Sequence, residues 1–165
     1  MIPVDEYPAV RDHSTLREAV RVIEESRLEV DGRASLPRVL LVFDRIDVLV
    51  GYLRRRDIMA GLEPSFLVPK PLEYRRKLFD IAVDPNLSGL AYERTLQGIR
   101  RQADRPVSDV MRPIEALLAA DDHLIKAVHE MVSQDLSLIP VVESGQLLGV
   151  VRSVDVFQAL VGLLE

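Results

Sequence analysis

A chain of 165 residues, 48% of them hydrophobic, is long enough to bury a core as one domain or as two small ones. Cysteine is absent, which excludes disulfides, thiolate nucleophiles and thiolate metal sites. A net charge of −5 and the lack of tryptophan run against nucleic-acid binding, which draws on a basic excess and stacking aromatics. No apolar run approaches the roughly 18 residues that cross a bilayer, and Met1 to Glu6 lacks the basic-then-apolar form of a leader. The expectation is a soluble cytoplasmic protein with no nucleic-acid and no membrane partner.

Taken in order, residues 1–13 read as extended, because Pro3 and Pro8 block a helix, and Ala9-Val10 offers a short strand. Thr15-Leu16-Arg17-Glu18 fits a capping box, and Leu16, Ala19, Val20 and Ile23 follow at helical spacing, so a helix runs to about Ser26. Arg27 to Arg38, with Asp31-Gly32 and Pro37, reads as a loop or a frayed hairpin. Val39 to Phe43 and Val48 to Leu53 form two strands around the turn at Asp44 to Asp47, and a helix opens at Asp57 and closes near Leu62. Between Glu63 and Arg105 four prolines divide two amphipathic helical pieces, Leu72 to Val83 and Leu87 to Gln102, which either pack on the module or a neighbouring subunit or serve as a solvated connector. Beyond Val107, a short strand lies within Ile114 to Ala120, Asp121 or Asp122 caps a helix through Val132, strands run over Ser137 to Val142 and Gln146 to Val151 around Ser144-Gly145, and a last helix starts at Asp155.

Two stretches of this chain match. Gly51-Tyr52-Leu53-Arg54-Arg55-Arg56-Asp57 and Gly149-Val150-Val151-Arg152-Ser153-Val154-Asp155 both read as glycine, apolar strand, arginine and an aspartate opening a helix, and 149 − 51 = 98 and 155 − 57 = 98. Leu40 to Asp44 answers Ile139 to Glu143, and Thr15 to Val20 answers His123 to Val128 at an offset of 123 − 15 = 108, so the first copy carries extra residues between its first helix and first long strand. The division expected is a first repeat over 1–62, a helical segment over 63–105 and a second repeat over 106–165.

The doubled pattern resembles a tandem pair of cystathionine-β-synthase (CBS) domains, the Bateman module. Val107-Ser108-Asp109-Val110-Met111 is similar to the family's opening, Leu138-Ile139-Pro140-Val141-Val142 to its first long strand, and Gly149 through Asp155 to its closing strand-to-helix signature. The first copy departs from it, lacking the valine–methionine opening and carrying Leu41 where Pro140 stands. The resemblance implies an α+β fold of two β-α-β-β-α repeats related by a pseudo-twofold, a disc-shaped homodimer joined through helices, and a regulatory ligand, AMP, ADP, ATP or S-adenosylmethionine, in the clefts between repeats with the aspartate on the ribose.

The residues themselves admit that chemistry. A helix N-terminus favours an anion, the arginine three residues earlier adds a planar donor fork suited to phosphate, and the aspartate can accept ribose hydroxyls. Candidate contacts are Arg54, Arg56 and Asp57 in the first copy and Arg152, Ser153 and Asp155 in the second, with Arg38 placed where some family members put a basic phosphate contact and Met111 and Pro140 as apolar walls. The plainer reading of each aspartate is an N-cap worth about 1 kcal/mol, of the arginine run a solvated strand edge, and of Met111 and Pro140 core and turn. The family commonly has threonine or serine where Arg54 and Arg152 stand. That change either tunes the clefts towards more phosphates or plugs them, the latter leaving an assembly domain that regulates an unknown partner without nucleotide. His13, His123 and His129 form no metal pattern and no nucleophile stands beside a base, so neither a metal, a required cofactor nor an enzyme is expected.

Overall fold

The computed structural model describes residues 1–26, 28–30, 33–64 and 89–164. The first repeat comprises β2 (Ala9–Arg11), α1 (Leu16–Glu25), β5 (Val39–Phe43), β6 (Leu49–Arg54) and α2 (Arg55–Leu62), and the second β7 (Leu118–Ala119), α4 (Leu124–Ser133), β8 (Leu138–Glu143), β9 (Gln146–Arg152) and α5 (Ser153–Leu164). In each, a short strand pairs parallel with the first long strand, which pairs antiparallel with the second. Even the irregularities match: register shifts at Val42/Phe43 leave Val50 unpaired, and at Val141/Val142 they leave Leu148 unpaired. This is the mixed α+β arrangement of two β-α-β-β-α units that the doubled sequence foretells. Ahead of the first unit lies β1 (Ile2–Pro3); inside it a small hairpin joins β3 (Leu28–Val30) to β4 (Arg33–Ser35); between the units lies α3 (Gly89–Gln102).

Each unit completes the other's sheet. β1 pairs antiparallel with β9, Ile2 opposite Val150 and Pro3 opposite Gly149. Reciprocally, Arg112 bridges to Tyr52 on β6, exchanging two backbone hydrogen bonds of 2.9 Å. Both crossings run over a glycine. A Cβ on Gly149 would stand 2.2 Å from the Ile2 carbonyl oxygen, and one on Gly51 would stand 2.4 Å from that of Arg112. The repeated glycines are therefore fixed by backbone approach.

β5 is buried on both faces, as its unbroken apolar run requires. Val39 and Leu41 join Tyr7, Tyr52, Leu138, Ile139, Val141, Val150 and Val156 in a core shared between the repeats. Leu40 and Val42, one residue out of phase, pack with Leu16, Ala19, Ile23, Leu53 and Ile58 beneath α1 and α2. The Thr15 capping box forms as expected: the Glu18 amide donates to the threonine hydroxyl (3.2 Å) and the Thr15 amide to the Glu18 carboxylate (2.7 Å). The described end of the inter-repeat segment packs on the first repeat, since Leu16 and Arg17 donate backbone hydrogen bonds to Arg105 and Ala103, and Arg17 holds Asp104 at 2.9 Å.

Several local expectations are corrected. Asp57 and Asp155 do not precede their helices but are the third residue of each, from where the carboxylate reaches back to the amide of Arg54 or Arg152 at 3.1 Å. His123, not Asp121 or Asp122, precedes α4; Asp122 instead accepts the Ala119 amide and pairs with Lys126. The strand sought within Ile114 to Ala120 is confined to Leu118–Ala119, where parallel pairing with Val141 and Val142 is available. The helix expected over Leu72 to Val83 lies outside the described residues, and the following one is described from Gly89.

Gly51→Ala and Gly149→Ala should each lower unfolding free energy by about 1–3 kcal/mol, the usual cost of overpacking. Gly162→Ala, inside α5 with open space around it, should raise it by about 0.5–1 kcal/mol. Urea denaturation of the three variants measures both effects.

Candidate functional site

Where the strands β6 and β9 run into α2 and α5, two clefts open on equivalent faces. The first, about 360 Å³, is lined by Tyr52, Arg54, Arg56, Asp57, Ala60, Arg112, Glu115, Gln134 and Asp135. The second, about 550 Å³, is lined by Tyr7, Leu36, Pro37, Arg38, Val39, Ser137, Leu138, Arg152, Ser153, Val154 and Phe157. Each takes its strand-to-helix corner from one repeat and the loop before the long strand from the other. Both volumes fall within the range of small-molecule sites.

The chemistry of the corners is an arginine clamped on the aspartate three residues later. In the first cleft Asp57, 8% exposed, receives the Arg54 amide and Nε on Oδ2 (3.1 and 2.9 Å) and Arg54 Nη2 on Oδ1 (3.0 Å). Arg112, from the opening of the second repeat, adds Nε on Oδ1 at 3.1 Å. In the second cleft Asp155 receives the Arg152 amide and Nε on Oδ2 (3.1 and 3.0 Å) and Nη2 on Oδ1 (2.6 Å). Bidentate pairs of this kind combine charge with fixed geometry. Burial opposes ionisation of both carboxyls, yet the arginine hydrogen bonds outweigh it and hold both below the usual carboxylate range.

The two clefts differ in their walls. The first is polar, with three arginines facing Asp57, Glu115 and Asp135, and the Tyr52 hydroxyl donates to Glu115 at 3.2 Å. The second sets apolar surface from Leu36, Pro37, Val39, Leu138 and Phe157 against Arg38, Arg152 and the first turn of α5. Tyr7, 5% exposed, closes its floor and donates its hydroxyl to the Val39 carbonyl at 3.0 Å; burial first, and Asp155 secondarily, push its phenol well above the ordinary value.

Arg54, Arg56 and Asp57 thus meet in one cleft, and Arg38, Arg152 and Ser153 in the other. Asp155 is not part of the second lining; it is tied to the lining Arg152. Met111 and Pro140 line neither cleft. Met111 packs against the first repeat's core beside Gly51, and Pro140 is buried in β8 near Tyr52 and Glu115. Sequence reasoning missed Tyr7, Leu36, Pro37 and Phe157 in the second cleft and Arg112, Glu115, Gln134 and Asp135 in the first. The offset between the first long strands, 139 − 40 = 99, held the signal for one of them, since 36 + 99 = 135 places Asp135 opposite Leu36. Among the described residues no cluster of histidine and carboxylate suits a metal ion, and no helix is long and apolar enough to cross a membrane.

Two interlocked β-α-β-β-α units with paired inter-repeat clefts define a tandem domain-pair architecture. The family model "CBS domain" matches residues 1–63 and 107–162, and the chain belongs to the CBS domain family as a pair of such domains. Solved structures agree on the fold. The CBS-pair protein CBSX2 from Arabidopsis thaliana superposes with a TM-score of 0.64 at 18% identity, over 99% of this chain and 92% of that one. CBSX2 in complex with AMP gives 0.61 at 17% identity, over 100% and 95%. The cytosolic domain of the Mg2+ channel MgtE in complex with ATP gives 0.57 at 21% identity, over 93% of this chain and 45% of that chain. A search of curated proteins found no match.

Because both aspartates are held ionised by partners made in the folded state, stability they confer is present above the ordinary carboxylate pKa and lost as pH falls through their depressed values. Unfolding free energy should therefore drop on acidification below about pH 4. Asp57→Asn should flatten that acid limb while lowering stability at pH 7 by about 2–3 kcal/mol, as for other hydrogen-bonded charges left without their partner. Chemical denaturation across pH 3–7 reads both.

Proposed function

We propose that the chain is a non-catalytic regulatory module that binds an adenosine-type nucleotide, AMP, ADP, ATP or S-adenosylmethionine, in the cleft between Leu36–Val39 and Arg152–Phe157, and passes its occupancy to a partner protein. The observation that carries this reading is the make-up of that cleft. Apolar surface from Leu36, Pro37, Val39 and Phe157 suits a purine, while Arg38, Arg152 and the N-terminus of α5 suit phosphate. The AMP and ATP complexes among the solved CBS structures support it. Asp155, freed from Arg152 or sharing it, supplies an acceptor for a ribose hydroxyl. The units at work are a first repeat over 1–62, a second over 106–165 and a helical segment over 63–105.

The module acts as a cytoplasmic homodimer in this reading. Its basis is the exposed apolar surface on α2 and α5: Met59, Phe157, Val161, Leu163 and Leu164 are all solvent-exposed in the single chain. No required cofactor, metal or nucleic acid enters the scheme.

A second reading, an assembly domain with clefts blocked by Arg54 and Arg152, draws on one observation: Asp57 already accepts four hydrogen bonds. It predicts dimers whose stability ignores nucleotides.

A thermal-shift series with the four ligands at millimolar concentration separates the readings. Ligand at 100 times Kd stabilises by about 2.7 kcal/mol, a rise of several degrees. Arg38→Ala and Arg152→Ala should each weaken binding at least tenfold; no shift with any of the four ligands discards the nucleotide reading. Sedimentation velocity tests the assembly. Met59→Glu with Val161→Glu should convert a dimer into monomers, and a wild-type chain that sediments as a monomer at micromolar concentration rejects dimerisation.

A further inference from the structure

The two Arg-x-x-Asp corners are alike in their own residues and differ in one neighbour. A carboxylate has about four acceptor positions. At Asp57 all four are filled, two on each oxygen, and the fourth donor is Arg112 Nε at 3.1 Å. At Asp155 the described residues fill three, all from Arg152. The difference follows from the crossing strands. Arg112 lies opposite Tyr52 on β6, and the equivalent place opposite Val150 on β9 is held by Ile2, which has no donor in its side chain.

We propose that Arg112 is a specificity-determining residue that withholds Asp57 from hydroxyl-bearing ligands and so makes the polar first cleft blind to ribose. The inference rests on the reading that Asp155 and its cleft receive a nucleotide. A diol entering the first cleft finds a wall of N–H donors from Arg54, Arg56 and Arg112 and no vacant acceptor on its one buried carboxylate. To reach Asp57, rather than the exposed Glu115 or Asp135 at the rim, it must expel Arg112 Nε first. Position and exposure make Arg112 separable from the fold: its backbone holds the bridge to Tyr52, while its side chain is 47% exposed. Removing the guanidinium therefore leaves the strand crossing in place and returns Asp57 Oδ1 to the state of Asp155 Oδ1.

Isothermal titration of the full chain with AMP, counting sites per chain, tests this. Wild type should bind one AMP, Arg112→Met two, and Arg112→Met combined with Asp57→Asn one again. Circular dichroism and Tm establish that each variant is folded, and Arg112→Ser stands in if the methionine variant is not. One site in both wild type and folded Arg112→Met overturns the role of Arg112 and leaves the second cleft as nucleotide site. Two sites in wild type overturn it as well, because the first cleft is then open already. No site in wild type with one Asp57-dependent site in Arg112→Met upholds Arg112 and rejects the second cleft; no site in either rejects both.

Discussion

The fold depends on two backbone crossings. A main-chain segment from outside each repeat, Ile2-Pro3 or Arg112, lies against the closing strand of a repeat, and each crossing is admitted by a glycine with no room for a Cβ. These contacts bring the two sheets into one shared core, in which Val39, Leu41 and Tyr52 of one repeat meet Leu138, Ile139 and Val150 of the other. The clefts are a by-product of that meeting: each needs a strand end from one repeat and a loop from the other, so neither exists in an isolated repeat.

Much of this was legible because the strongest signals are local. Hydrophobic runs of strand length, the Thr15–Glu18 box and the glycine-to-aspartate spacing all act over fewer than ten residues, and each led to an element near its expected place. Duplication added what a single copy lacks, a reason to pair the elements. What escaped reading is long-range. Nothing in Ile2-Pro3 announces a partner at Gly149-Val150, and a two-residue strand has no periodicity to detect.

The candidate site shows the same division. The arginines and aspartates stood out by their spacing, and the structure brings Arg54 to Asp57 and Arg152 to Asp155 within their own corners. Their helix position was misjudged because an aspartate near a helix start satisfies amides equally well from the cap or from the third residue. Arg112 escaped altogether, lying 55 residues from the carboxylate it contacts. The loops at Leu36-Pro37 and Gln134-Asp135 escaped because a loop that lines a cleft carries no pattern of its own.

The pairing of β1 with β9 ties residue 2 to residue 150, nearly the full span of the chain. A contact this distant in sequence adds loop-closure entropy that no early local structure offsets. During synthesis the amino-terminal strand waits without its mate until β9 has left the ribosome. The core around Leu40, Val42 and Leu16 draws on nothing from β9, so it can be assembled before that strand is made.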